Sequence, residues 1–316
     1  MRFFTRKRIL AAALVAAFVA VFAAIGAVSK SSEPVVDTTV AEPVPTAEWY
    51  WAMAVSQSDP DVLLLGTSSG LYRSDNGGKT WKPTGPEGLN ATSLAQIGDT
   101  LLAGGVRMAK RGSPIVRKGS SRVATDGPAL LAASTDEGET WEVMRPRGLP
   151  DVTVQALVLD PESDAGVYAL LNDGRLFRST DEGRSFELVS SELGAPPWAL
   201  AITEDGRFIA GNMDSGYYMS DDGEKWQKID YTDSNGDRHV MEFAIHPADS
   251  TRVLMTSTGV ELSTDGGKTW QVALRSEEMF GPVAWAPSEP DVAYAVGFDH
   301  SVWRSEDSGE SWVQVT

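Results

Sequence analysis

An eight-residue signature recurs along the chain at near-constant pitch, and it limits the fold more than any other feature. It reads SDNGGKTW at Ser74–Trp81, STDEGETW at Ser134–Trp141, STDEGRSF at Ser179–Phe186, STDGGKTW at Ser263–Trp270 and SEDSGESW at Ser305–Trp312. A sixth, degraded copy, MSDDGEKW at Met219–Trp226, keeps Asp221, Gly223 and Trp226 in register and carries Met219 where the serine belongs. The pattern Ser-x-Asp/Asn-x-Gly-x-Thr/Ser-Trp has the chemistry of a turn. The carboxylate or amide (Asn76, Asp136, Asp181, Asp221, Asp265, Asp307) can accept hydrogen bonds from backbone amides just downstream. The glycine (Gly78, Gly138, Gly183, Gly223, Gly267, Gly309) permits the positive φ of a tight hairpin. The ring that follows re-enters a sheet, where its burial contributes about 2–3 kcal/mol. These residues are expected to be scaffold.

The anchor rings at Trp81, Trp141, Phe186, Trp226, Trp270 and Trp312 are separated by 60, 45, 40, 44 and 42 residues. The long first interval marks one insertion. Each period contains four short runs rich in Val, Ile, Tyr and Trp, as in YWAMAVS, VLLLGTS, GLYRS and KTWKPT of the first unit. Four strands in about 40–45 residues is the period of a propeller blade, and alternating β-branched and aromatic residues exclude a helical solenoid. The fold class expected is all-β, a six-bladed propeller of four-stranded antiparallel blades spanning residues 49–316.

The signature resembles the Asp-box, or BNR, repeat of sialidases and related propellers, among them photosystem assembly-factor propellers and sorting receptors. The resemblance covers Trp49 to Thr316 and implies that each box joins the third and fourth strands of a blade. It implies the fold sharply and the function poorly, because the repeat serves glycosidases and binding proteins alike.

Ahead of the repeats, MRFFTRKR precedes twenty uncharged residues, Ile9 to Val28. As a helix these rise about 30 Å, the thickness of a hydrocarbon core. Residues 1–28 are therefore expected to be a basic cytoplasmic stub and an uncleaved transmembrane anchor, with a cleaved signal peptide, and hence secretion, as the alternative. The positive flank keeps the N-terminus in the cytoplasm and places the rest outside. Residues 29–48, rich in Ser, Pro, Thr and acids, read as a linker. Absence of cysteine excludes disulfides and thiolate sites, and no cofactor or metal motif is found. A net charge of −17 argues against nucleic-acid binding.

Strand direction divides the loops between two faces. First-to-second and third-to-fourth strand turns share one face, which is short-turned and acidic; His246 lies there as a turn residue. The other face carries the long connections and the insertion. Gly105 to Pro128 brings Arg107, Lys110, Arg111, Arg117, Lys118 and Arg122 against one acid, Asp126. Six positive charges on an acidic protein can focus a field for an anionic partner, so this face is expected to bind a protein or glycan. The alternative is a sialidase-like glycoside hydrolase. That reading wants an arginine cluster, a nucleophile pair and an acid/base carboxylate, yet the Phe/Tyr-Arg-Ile-Pro motif the resemblance leads one to expect is absent. Arg73, Arg178 and Arg304 each precede a signature and read as turn or blade-to-blade contacts. Tyr231, Asp233, Asp237, Glu242, Glu192, Glu277 and Glu278 are the candidate carboxylates and nucleophile on the long-loop face, with nothing in the sequence to align them. The stretch YTDSNGDRHVME matches a calcium loop at Asp233, Asn235, Gly236 and Glu242, but Tyr231 stands where the first carboxylate is required. An Asn-Gly turn is preferred there.

Overall fold

The computed structural model describes residues 43–108, 129–191, 193, 198–212, 216–231, 236 and 239–316. Six consecutive stretches of these residues each form a four-stranded antiparallel sheet. Blade one comprises β1 (Tyr50–Val55), β2 (Leu63–Thr67), β3 (Gly70–Ser74) and β4 (Lys82–Thr84); blade two β5 (Leu89–Ile97), β6 (Thr100–Arg107), β7 (Ala129–Ser134) and β8 (Glu142–Met144). Blade three follows with β9 (Val154–Leu159), β10 (Val167–Leu171), β11 (Leu176–Ser179) and β12 (Glu187–Ser190). Blade four has β13 (Ala199–Ile202), β14 (Phe208–Asn212), β15 (Gly216–Ser220) and β16 (Gln227–Ile229). Blade five has β17 (Glu242–Ile245), β18 (Val253–Ser257), β19 (Gly259–Ser263) and β20 (Gln271–Arg275). Blade six has β21 (Phe280–Ala286), β22 (Glu289–Gly297), β23 (Val302–Ser305) and β24 (Val313–Gln314).

Hydropathy falls from the inner to the outer strand of each blade because burial does. Second strands such as LLLGT, VYALL and VLMTS are buried on both faces, sandwiched between neighbouring blades, whereas outer strands such as KPT, EVM and QKI are largely exposed. The core is accordingly a series of clusters between blades. The last of them closes the ring, with Tyr50, Leu63, Leu65 and Trp81 of blade one packed on Ala286, Val292, Tyr294 and Val302 of blade six. No strand is shared between the first and last blades among the described residues. Closure is by this packing and by polar ties at its rims. Asp61 accepts from the Tyr294 hydroxyl at 3.1 Å and from Arg304 at 3.0 Å, and Tyr50 Oη meets His300 Nδ1.

The repeated turns have one hydrogen-bond plan. In the five full copies the serine Oγ donates to the Asp or Asn Oδ1 at 2.7–3.0 Å and accepts from the glycine N–H at 2.8–3.0 Å. Oδ1 in turn accepts from the amide before the ring, at 2.8–2.9 Å. The glycine does more than supply φ. A Cβ on Gly78, Gly138 or Gly267 would lie 2.9, 2.4 and 2.9 Å from Val302, Leu64 and Ile209 of the preceding blade, so each box is also where one blade seats on the last.

The degraded copy is corrected by the structure. Ser220, not Met219, is its serine, and Asp222, not Asp221, its carboxylate. Ser220 Oγ donates to Asp222 Oδ1 at 3.0 Å and accepts from Gly223 N–H at 2.9 Å. One residue has been lost between serine and glycine, so counting back from the tryptophan misplaces both. Asp221 projects into solvent, 3.7 Å from Arg207.

Candidate functional site

The six inner strands surround a cavity of about 750 Å³ on the ring axis. Its walls are Ala52–Val55, Thr92–Gln96, Gln155–Leu159, Leu200–Ile202, Glu242–Ile245 and Val283–Trp285. Its rim is built from first-to-second strand turns: Pro161, Glu204, the turn 246–250 and Pro287. Among the described residues, none from the connections between blades lines it. The described rim lies on the short-turn face, opposite to the long-loop face on which the sequence placed the working surface.

A pair of tryptophans occupies the long-loop end. Trp51 and Trp198 come from blades one and four, which stand across the ring, and their rings stack at 5.5 Å with an interplanar angle of 28°. Trp49 stacks behind Trp51 at 5.3 Å. The register of β1 and β2 slips between Tyr50 and Ala52, leaving Trp51 as the extra residue of a bulge. Bulges re-aim side chains, and here the result is a ring across the axis.

Glu242 is the one ionisable group that an inner strand contributes to the cavity wall. The residues in the same place before the turn on β1, β9 and β13, judged by strand pairing, are Ala52, Ala156 and Ala199. Glu242 Oε1 accepts from the N–H of Phe243 at 3.1 Å, and no arginine, lysine or histidine pairs with it among the described residues. The residue is half-buried, yet protein surrounds its carboxyl deeply, and burial pushes its pKa up to about 8, the Phe243 amide offsetting only part of that. At the rim, Glu204 is exposed, while the Thr251 hydroxyl and amide hold the Asp249 carboxyl below its usual range. His246 is a turn residue: its Nδ1 accepts from Ala248 N–H at 3.1 Å, its ring packs edge-on to Trp285 at 4.7 Å, and burial lowers its pKa.

Among the described residues no arginine or lysine lines the cavity. Arg73 is tied to Asp75 and to the Glu137 carbonyl of the next blade, Arg178 to Asp160, and Arg304 to Asp61. The arginine cluster that a sialidase-like site requires is not assembled among the described residues. Of the other candidates, Glu277 and Glu278 are exposed, Tyr231 packs on Tyr217 at 5.9 Å, and Glu192, Asp233, Asn235 and Asp237 lie outside the described residues. Arg107 is exposed at the end of β6; Lys110, Arg111, Arg117, Lys118, Arg122 and the apolar span Ile9–Val28 also lie outside them.

Comparison with known proteins follows from this geometry. The chain belongs to the family described as Photosynthesis system II assembly factor YCF48, whose model matches residues 43–316. A solved structure described as YCF48 bound to D1 peptide is 18% identical, with a TM-score of 0.52, over 88% of this chain and 84% of that one. YCF48 from Cyanidioschyzon merolae is 16% identical, with a TM-score of 0.53, over 87% of each chain. At this identity the likeness is one of fold. A xyloglucanase of Hypocrea jecorina (strain QM6a) is 27% identical over 208 residues, 59% of this chain and 23% of that protein. The chain thus spans about a quarter of the length of the curated relatives it matches.

Proposed function

We propose that this propeller is a protein-binding module of the assembly-factor type, held at a membrane by residues 9–28 on the extracytoplasmic side, with the cavity mouth as its docking surface. The observation that carries the reading is the cavity itself. It is walled by six inner strands, rimmed by Leu159, Pro161, Pro247 and Pro287 beside Glu204 and Asp249, and among the described residues lacks the arginines of a sialidase site. Leu159 is 47% exposed at that rim, an apolar contact with no partner blade to cover it. Family membership supports the same reading, since one member is described as bound to a peptide. The basic stretch from Arg107 to Arg122 is proposed as a second contact, for an anionic surface of the partner.

A photo-crosslinking residue placed at Leu159 is expected to trap a protein partner in cells, and the same residue at Val313, on the outer strand β24, is not. Adducts formed only from Val313 would refute docking at the mouth. The triple change Arg111→Glu, Arg117→Glu, Lys118→Glu tests the second contact by loss of the same adduct. A glycosidase reading draws on the xyloglucanase match. Release of sugar from xyloglucan or sialoglycans, abolished by Glu242→Gln, would replace the binding reading.

A further inference from the structure

The cavity has a chemistry that apolar docking does not account for. A carboxylate in the wall of a ring is expensive unless it is paired or hydrogen-bonded. Among the described residues Glu242 has only the amide of its own neighbour, and three of the equivalent inner-strand positions are alanine. No other group of the described scaffold uses it. Val240, Met241 and Phe243 beside it are buried apolar residues that hold the strand without its help. A side chain kept at such cost, facing a space large enough for a ligand, is explained by what enters that space.

We propose that the cavity is a socket for a lysine or arginine side chain presented by the partner protein, with Glu242 as its counter-charge. This rests on the protein-binding reading above and names the chemistry of what is bound. Four observations converge on a cation carried by a chain segment. Among the described residues the wall offers one carboxylate and no positive group. Among the described residues, the other charged groups lining the mouth, Glu204 and Asp249, are acidic, and although Arg252 stands 3.9 Å from Asp249, Glu204 is exposed with no ion pair, so the approach favours a cation. His246, the remaining titratable group there, is engaged by Ala248 and depressed by burial, and so adds no competing charge at neutral pH. A bare metal ion is poorly served, because no group of three or more potential ligands is found among the described residues.

Size points the same way. About 750 Å³ falls within the roughly 300–1,000 Å³ of sites that enclose a ligand. Glu242 lies three residues in from Ile245, the last residue of β17, or about 10 Å along the strand. A loop tip seated below the rim can extend a basic side chain over the rest of that distance. At the opposite, long-loop end of the inner strands, Trp51 of blade one and Trp198 of blade four stack across the ring. The apolar part of the wall, which includes Ala54, Leu94, Ala95 and Val158, suits the aliphatic stem that lysine and arginine carry behind their charge.

The test uses the full-length chain and three short blocked peptides alike except for one central residue: lysine, arginine or norleucine. Binding is followed by broadening of the peptide resonances, and proton release is followed in weak buffer. The lysine and arginine peptides are expected to bind at least about tenfold more tightly than the norleucine peptide. They are also expected to release protons at pH 7, as Glu242 ionises against the incoming charge. Glu242→Gln, a near-isostere that keeps the Phe243 hydrogen bond, should abolish both the preference and the proton release while leaving far-UV circular dichroism intact and Tm no lower than that of the wild type. Equal binding of lysine and norleucine peptides, no binding up to roughly 10 mM, or a preference that survives Glu242→Gln overturns the socket. The Leu159 adduct separates the two readings. If the adduct persists in Glu242→Gln while no cation preference exists, the socket fails and protein docking stands. If lysine peptides bind selectively but no protein adduct forms, the protein occupant is overturned.

Discussion

Replacing Glu242 by glutamine should stabilise the propeller at alkaline pH and leave it unchanged near pH 4, and the size of the effect follows from where the residue sits. Its carboxyl is pushed from 4.5 up to about 8 by burial. A folded-state pKa raised above the unfolded value means that the folded chain binds the extra proton between those two pH values. Stability from this group is therefore full below about 4.5 and is lost as the pH rises through 8. If the folding equilibrium feels the whole interval, the loss is at most about 5 kcal/mol. Water in the open cavity and relaxation around the ionised group reduce the expected figure to about 2 kcal/mol. Glutamine retains an oxygen for the Phe243 amide and never ionises. Thermal melts of wild type and Glu242→Gln at matched pH should therefore coincide near pH 4 and separate by about 5 °C at pH 9, the variant melting higher. Taking the difference between the two proteins cancels every other titrating group. A gap that does not change with pH, or a variant that melts lower at pH 9, would refute the placement of an unpaired carboxylate in the cavity wall.

Three further outcomes test the scaffold. Ser220→Ala, which breaks the serine's bonds to Asp222 and Gly223, should cost about 1–2 kcal/mol in urea unfolding, whereas Met219→Ala should cost under about 0.5 kcal/mol; the reverse order would restore the register that the tryptophan spacing suggests. Arg178→Ala strands the Asp160 carboxylate, whose side chain is 1% exposed and 2.6 Å from the guanidinium, and should destabilise by about 3 kcal/mol by the same assay. In acid, the box carboxylates give way. The Thr140 hydroxyl holds Asp136 at about 2, and at Asp265, where burial works upward, the Thr269 hydroxyl and amide outweigh it to the same result. These folded values lie below the unfolded one, so their contribution is present above about 4 and lost as the pH falls toward 2, and Asp265→Asn should flatten that limb of the Tm curve.

The fold was legible because its determinants are local and repeated. Six rings at near-even spacing count the blades, and each box carries its serine, carboxylate and glycine within five residues, so no long-range knowledge is needed to see a turn. The place of the insertion follows from the same count: β6 ends at Arg107 and β7 resumes at Ala129. The one scaffold error has a local cause as well. Deleting a residue between Ser220 and Gly223 leaves two adjacent aspartates, and the spacing to Trp226 selects the wrong one, while the hydrogen bonds select Asp222.

The cavity was not legible in the same way, because closure of the ring creates it. Trp51 and Trp198 are 147 residues apart in the chain, and neither is marked by its neighbours. Only the bulge at Trp51 and the meeting of opposite blades bring their rings together. The long connections drew the expectation toward the face opposite the cavity mouth, since loop length measures how much chain is present and not where the axis is open. Glu242 is one of 44 acidic residues, set in HVMEFAI among other apolar residues of an ordinary strand. Yet a signal was available. Aligning the inner strands by their distance from the following turn sets Glu242 against Ala52, Ala156 and Ala199. In a repeat fold, blades constrain one another position by position, so a charged residue where other blades carry alanine departs from what the scaffold requires. Such departures, more than motif matches, are where a propeller shows the side of its ring that works.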